Sequence, residues 1–467
     1  MKSVPEQKGQ LKRAELFVST KNLAYKVSQK TQNIIIDDSP ADKKLFKNLI
    51  NIQINPSEKH QSILGLGYSF EHTSCANLLL LRQEKRKEAL ELLVDPRKGG
   101  MNIFRICIGT PDFTGTPWYS YLDEPPNENT DLFEHLNKYF SIQKDRELII
   151  PIVKEALRIN PELIIYASPW SPPAWMKDSK SMCGGKLLKK YYEIYAHYLV
   201  KFIDEYAKEG IPIYAITIQN EPMHDWNKMP TCRWKPEEER DFIKNYLGPL
   251  IARKKLSTKL WCYDHNFSFL YRPAKYPQII LQDPDAAKYI EGIAFHHYDV
   301  GGWGNPKHMK IIYSKFPDKH CYFTEGSLFW LWGALRLTRY LKNDARIYSG
   351  WVPFLDTEGK PNNGPFKAKN SLLQRDVTTN DIIIHFDYYW LVQFSRFIKR
   401  GAIRVGTNEP KARGFEHIVF ENPDRTYMAI FTNKTKKKRI VEIEHNSKRF
   451  YVILEPNSVS SLIYSPD

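Results

Sequence analysis

What the chain lacks narrows its class first. Its six cysteines (Cys75, Cys107, Cys183, Cys232, Cys262 and Cys321) form no C-x-x-C pair and no zinc-ligand spacing, so neither a disulfide framework nor a zinc module is expected. No window approaches about 18 uncharged apolar residues, so no membrane-spanning helix is expected. The first residues, MKSVPEQKGQLKRAELFV, carry charge but no apolar core of about seven or more, and no signal peptide is expected there. As written the chain reads as cytoplasmic, or as extracytoplasmic if a leader has been removed. Internal repeats and low-complexity tracts are missing too. With hydrophobic residues at 42% and aromatics at 13%, a large core is affordable and disorder is not the expected state.

Charge of one sign is in excess, at +15 net. The lysines are spread along the chain, with one short run at Lys436–Arg439 that reads as a hairpin tip, so the charge is expected to be solvated surface rather than a nucleic-acid footprint. No nucleic-acid partner is expected. Peripheral contact with an anionic membrane surface is what such a charge still admits.

Turning to what is present, 467 residues hold a barrel of about 250 with insertions plus a smaller module. Eight short β-type runs stand out: 63–70, 103–108, 163–168, 213–219, 260–264, 292–296, 321–325 and 345–351. Segments with helical apolar spacing lie between them, such as 146–158, 190–209 and 236–246. Eight strands alternating with helices imply parallel β/α units closing into a (β/α)8 TIM barrel, an α/β fold. The ends differ. KNLAYKV and LINIQINP read as extended, and beyond residue 403 the sequence alternates like β-hairpins with Asn-Pro-Asp and Pro-Asn-Ser turns. The expected organisation is a catalytic barrel over 61–402 and an attached, β-sandwich-like sheet module from 1–60 plus 403–467.

Two glutamates carry the chemistry. The apolar run YAITIQ leads into Asn220, Glu221 and Pro222, and HCYFT delivers Glu325. Carboxylates at the C-terminal ends of two buried barrel strands suit a retaining glycosidase. One protonates the leaving oxygen while the other attacks the anomeric carbon, which requires the pair to lie about 5–5.5 Å apart. Pro222 keeps Glu221 out of right-handed helical geometry and projects it at the strand end. The same tripeptide recurs at Asn408, Glu409 and Pro410, in a polar turn beyond the barrel, so strand context and not the motif singles out Glu221. Gly326 after Glu325 leaves room for a ligand to approach the backbone.

Around them, Asn220 is placed to hydrogen-bond a sugar 2-hydroxyl. Asp112 suits sugar hydroxyls, and Arg105 is expected to hold the nucleophile ionised. Trp170, Trp175, Tyr298 and Trp351 offer flat apolar faces to the C–H faces of sugar rings. His296 could orient a glutamate or a hydroxyl, or be a satisfied core histidine. His296 and His297 with Asp299, and His224 with Asp225, lack a third ligand at tight spacing, so no metal is expected.

In order, MNIFRICIGTPDF, ASPWSPPAWMK, YAITIQNEP, EERDFIKNYLGP, AAKYIEGIAFHHY, YFTEG and LDTEGKPNNGP closely resemble glycoside hydrolase family 30, particularly its glucosylceramidase-like branch. The resemblance runs from about residue 60 to the end. It implies the barrel with a side β-sheet, retaining chemistry without a cofactor, Glu221 as acid/base and Glu325 as nucleophile. It also implies glycone contacts at Asp112, Trp170, Asn220, His296, Tyr298 and Trp351. The chain departs from the pattern at Tyr68, Glu71 and His72 in the first strand and at Val352-Pro353-Phe354 after the eighth. The segment after Glu325, GSLFWLWGALRL, is aromatic and apolar and could form an apolar lip. The expected activity is a β-glucosidase acting on glucosylceramide-like substrates. An endo-β-1,6-glucanase, a xylosidase or fucosidase, and a sugar-binding barrel without turnover are the alternatives.

Overall fold

Parallel strands covered on both faces read as largely apolar runs, and eight segments here follow that pattern. The computed structural model describes residues 13–35, 49–267, 275–299, 304–446 and 448–466. Within them β1 (Gly65–Ser69), β2 (Ile103–Ile108), β3 (Ile164–Pro169), β4 (Ile213–Thr217), β5 (Lys259–Asn266), β6 (Ile290–His296), β7 (His320–Glu325) and β8 (Ala345–Ser349) pair side by side, and β8 returns to β1 to close a barrel. Each overlaps one of the eight runs expected from sequence. All residues of β1 and β2 are buried, and in β5 only Lys259 at the strand start is exposed.

The expected helices also form. Gln143–Ile159 and Tyr192–Lys208 bury apolar stripes that include Ile149, Ile152 and Val153 in the first and Tyr195, Leu199 and Phe202 in the second. The third, Pro236–Phe242, passes into a π-helical turn at Ile243–Leu247 before continuing as Gly248–Lys254. Pro249 gives the physical reason. It has no N–H to donate and its ring would clash with the carbonyl four residues back, so the wider turn accommodates it.

By internal contacts the chain forms two compact units. One takes Leu66–Ser327 and Asn343–Ile384; the other takes Met1–Gly65, Leu328–Lys342 and His385–Asp467. The second is built on a ten-stranded sheet whose order runs Ser28–Gln29, Arg13–Thr20, Ser458–Ser465, Tyr427–Asn433, Phe415–Glu421, Ile403–Thr407, Ile50–Ser62, Arg439–His445, Lys448–Leu454 and Ile34–Ile35. Its core gathers Leu16, Val18, Ile52, Val419, Phe431, Val441, Phe450 and Leu462, drawn from both ends of the chain. LINIQINP is extended as expected. KNLAYKV is not: residues 21–27 turn, with Leu23 (φ 59°) and Val27 (φ 55°) left-handed, and the strand is the segment before it. Short polar stretches with one tyrosine carry too little apolar alternation to tell a turn from an edge strand. Among the described residues no helix is long and apolar enough to cross a membrane.

Candidate active site

At the C-terminal ends of the barrel strands the apolar lining gives way to charge. Arg105, on β2, is fully buried and directs every arm of its guanidinium to a partner. Nη1 donates to Glu325 Oε2, Nη2 to Asp264 Oδ2 (2.7 Å) and Asn220 Oδ1 (2.8 Å), and Nε to Ser168 Oγ (2.9 Å). The guanidinium also lies over the rings of Trp170 (4.7 Å) and Trp351 (5.9 Å), which stack on each other with centroids 5.0 Å apart. A rigid fork with this many fixed partners needs arginine; lysine cannot reproduce it.

Glu221 follows β4 at φ 49°, in the left-handed region. For a residue with a Cβ this costs about 1–2 kcal/mol. Pro222 disfavours the right-handed alternative. Backbone bonds stitch the segment in place: Asn220 N donates to Pro169 O (2.8 Å) and Glu221 N to Asp264 O (3.0 Å). The Glu221 carboxyl meets His296 Nδ1 through Oε1 (3.1 Å) and His224 Nδ1 through Oε2 (3.0 Å). A carboxylate oxygen of Glu221, a ring nitrogen of His296 and a carboxylate oxygen of Glu325 all lie within 4.8 Å of one another.

Asp264 joins these groups, and sequence reasoning gave it no role. Tyr263 pairs with Ala294 and His265 with Phe295, which leaves Asp264 as the extra residue of a β-bulge in β5. Tyr263 (φ 77°) and Asp264 (φ 56°) are both left-handed. The bulge frees the Tyr263 amide, and buried Glu239 takes it at 3.1 Å while accepting the Tyr276 hydroxyl at 2.8 Å. Turned inward, Asp264 accepts from Arg105, Ser168 (3.1 Å) and Thr217 (2.8 Å) on Oδ2, and from Thr324 (2.6 Å) and His296 Nε2 (2.9 Å) on Oδ1. The signal was an acidic residue inside the apolar run LWCYDHN; a buried carboxylate in a strand demands cations and donors.

Electrostatics follows these contacts. Burial would raise Asp264, but Arg105 and His296 outweigh it and hold the carboxyl well below its ordinary range. Burial lowers the His296 ring, yet the charges of Glu325 and Asp264 and its bonds to Asp264 and Glu221 raise it to about 9, so it is an imidazolium at neutral pH. With both ring nitrogens donating to carboxylates, His296 has no lone pair to offer a metal ion. Glu221 and Glu325 are shifted in opposite directions. Burial raises Glu325 against the pull of His296 and Arg105, while at Glu221 the bonds from His224 and His296 overcome burial and lower it well below the ordinary range. Asp112 is raised to about 7 by burial and by the charge of Glu325.

The structure therefore brings together Glu221, Glu325, Arg105, Asn220 and His296 in one hydrogen-bonded network, with Trp170 and Trp351 beneath the guanidinium. Tyr298, partly exposed, sets its hydroxyl against Glu325 and Ser327. Asp112 is within electrostatic range of both glutamates. Trp175 is elsewhere; its indole N–H donates to Leu122 O and its ring abuts His135 and Tyr191. Glu409 is exposed in the sheet unit and pairs with Lys342 at 2.6 Å. At Gly326 it is the Phe323 ring that approaches, 2.8 Å from where a Cβ would lie.

The model of the Glycosyl hydrolase family 30 TIM-barrel domain matches residues 63–332, and that of the family's beta sandwich domain matches residues 401–462. The chain is 28% identical to an endo-1,6-beta-D-glucanase of Neurospora crassa, over 93% of this chain and 91% of that protein. It is 27% identical to the lysosomal acid glucosylceramidase of Mus musculus, over 83% of this chain and 78% of that protein. Among solved structures, an endo-beta1,6-glucanase superposes with a TM-score of 0.84 at 28% identity, covering 97% of this chain and 99% of that one.

Proposed function

The chain belongs to glycoside hydrolase family 30, and from that premise we propose that it is a retaining β-glucosidase working by double displacement, with Glu221 as acid/base and Glu325 as nucleophile. The observation that carries this is the separation of the two carboxyls, whose oxygens approach within 4.8 Å. Inverting enzymes hold them about 6.5–9.5 Å apart to admit a water. In the first step Glu325 attacks the anomeric carbon while Glu221 gives its proton to the glycosidic oxygen. The C–O bond breaks and the alcohol leaves. In the second, water attacks the anomeric carbon and passes a proton to Glu221 as the bond from that carbon to Glu325 breaks.

Between the two glutamates the proton favours Glu325, the reverse of what the first step needs. His296 provides the correction. Its Nδ1–H faces Glu221 Oε1 at 3.1 Å and its ring lies 4.0 Å from Glu325 Oε2, so passing that proton to Glu221 while the ring takes up the proton of Glu325 leaves Glu221 protonated, Glu325 ionised and His296 an imidazolium again. The Arg105 contact then stabilises the ionised Glu325 that attacks. Asp264 is the fixed counter-charge for both cations. Asp264→Asn is expected to cost about 3–5 kcal/mol of stability and to lower kcat on aryl β-glucosides roughly 100-fold. Denaturant unfolding and steady-state rates check this; unchanged stability would mean Arg105 and His296 are neutralised without Asp264.

Glucose as the glycone is supported by similarity to both an endo-1,6-beta-D-glucanase and a glucosylceramidase. The apolar lip expected at Phe329–Trp332 bears less weight as lipid evidence. Trp330 (54% exposed) and Trp332 (52% exposed) belong to the sheet unit, whereas both glutamates belong to the barrel unit. A panel of aryl β-glucoside, xyloside, galactoside and fucoside tests the reading, followed by β-1,6-glucan and glucosylceramide. The glucoside should be turned over fastest; a faster xyloside or fucoside reassigns the glycone.

A further inference from the structure

Glu221 has two sides. Its Oε1 faces His296, and through it Asp264 and Glu325, where the glycone must sit. Its Oε2 faces His224, and the His224 ring stacks nearly parallel on Trp226, with centroids 5.9 Å apart and an interplanar angle of 18°. Trp226 in turn abuts Phe366 at 5.5 Å, and the Phe366 ring is 47% exposed. An acid/base carboxyl delivers its proton to the glycosidic oxygen, so the group that departs lies on the side of Glu221 away from the nucleophile. That is the side on which this line of rings begins.

The rings come from two loops held against the pocket. Trp226 is fixed by Thr231, which accepts from its N–H (3.2 Å) and donates to its carbonyl (2.9 Å), and it packs on the cluster containing Trp170 and Trp351. Phe366 follows a turn seated on the Asp112 loop. Asn363 N donates to Thr114 O (2.7 Å), and at Gly364 a Cβ would lie 2.8 Å from Asp112 O. Trp226 and Phe366 thus carry an aromatic surface outwards from that cluster, with polar groups around it: Lys228 Nζ lies 5.6 Å from the Trp226 ring centroid, and Asn362 and Asp225 accept from the Gly364 and Gly185 amides. Aromatic faces with a polar rim match a pyranose ring, which offers C–H faces and hydroxyl edges. A hydrocarbon chain would offer the Lys228 ammonium beside the Trp226 ring no partner, whereas a hydroxyl edge does.

We propose that Trp226 and Phe366 form the leaving-group subsite and take a sugar ring, so that the bond cleaved joins two sugars; this rests on the β-glucosidase reading above and on Glu221 as its acid. Neither ring touches the reacting atoms. Each determines specificity by holding the departing unit.

The test compares the wild-type protein with Trp226→Ala and Phe366→Ala on three substrates. These are β-glucosyl fluoride, whose leaving group is too small to reach either ring, short β-1,6-linked gluco-oligosaccharides, and glucosylceramide in detergent micelles. Each substitution should lower kcat/KM on the oligosaccharides about tenfold more than on the fluoride, mostly through KM. Phe366 is exposed, so its substitution is readable even if Trp226→Ala folds poorly. Equal losses on fluoride and oligosaccharide overturn the subsite. So does a wild-type protein that turns over the fluoride but no oligosaccharide, and so does a larger loss on glucosylceramide than on the oligosaccharides, which would make the occupant a lipid. A wild-type protein inert towards the fluoride overturns the glycosidase reading and this one with it.

Discussion

Glu325→Gln is expected to lower kcat on aryl β-glucosides by roughly 10⁴-fold or more, because an amide cannot form the glycosyl ester on which double displacement depends. The substitution keeps shape and volume. Arg105 retains Asp264 as its counter-charge and Asn220 and Ser168 as acceptors, so the fold should survive and the loss should be chemical. Two measurements separate nucleophile from bystander. A 2-deoxy-2-fluoro-β-glucosyl fluoride should leave a mass label on the peptide that carries Glu325 in the wild-type protein and on none in the variant. With Glu325→Gly, added azide should restore turnover of an activated β-glucoside and yield the α-glucosyl azide, since the anion then attacks from the vacated side. A label on another acidic residue, or a Gln variant retaining a few per cent of the wild-type rate, ends the assignment.

Much of this arrangement was legible in the chain itself, for a physical reason. Barrel strands are buried on both faces, so their sequences are short apolar runs, and all eight were found to within a few residues. A charged residue inside or at the end of such a run is conspicuous because its burial is costly, which is how Arg105, Glu221 and Glu325 stood out. Asp264 obeys the same rule, yet its role was missed. Its inward direction depends on a bulge that shifts the register by one residue against β6, and on a distant carboxylate, Glu239, that holds the freed amide. No local pattern in LWCYDHN states which way the aspartate turns. His224 was missed in a different way. It was weighed only as a metal ligand beside Asp225, whereas its actual partner is the carboxyl three residues before it. Turn geometry around Pro222 makes that approach, and helical or strand periodicity does not describe it.

The charge balance of the buried network explains why so many of its members are fixed. Arg105 and a protonated His296 face Asp264, Glu325 and Glu221. Two cations against three carboxylates leave room for one proton, and the neutral total is reached when a single glutamate carries it. A glycosidase of this type needs that stoichiometry, one acid and one ionised nucleophile, and the two positions differ in what surrounds them. Glu325 has the guanidinium, which cannot lose its charge. Glu221 has two hydrogen-bonded imidazoles, His224 and His296, which can donate or take back a proton at each half-reaction.

That difference makes Glu221→Gln the second decisive experiment. On substrates with poor leaving groups, such as β-linked glucose oligosaccharides, the variant should lose roughly 10³-fold in kcat/KM, because bond breaking then proceeds without a proton donor. On an aryl glucoside with a good leaving group the first step needs little acid assistance, and kcat/KM should fall by about tenfold or less. In that case kcat becomes limited by the second step, which lacks its base, and a burst of phenolate precedes a slow steady state. Azide should restore turnover here as well, but the product should be the β-glucosyl azide, because the glycosyl ester on Glu325 is still formed and is attacked from the opposite face. The anomer of the azide product thus distinguishes the two glutamates independently of any rate. Equal losses on the two classes of substrate, or an α-azide from this variant, would show that the proton comes from another group, and the carboxyls of Asp112 and Glu325 would then have to be examined in its place.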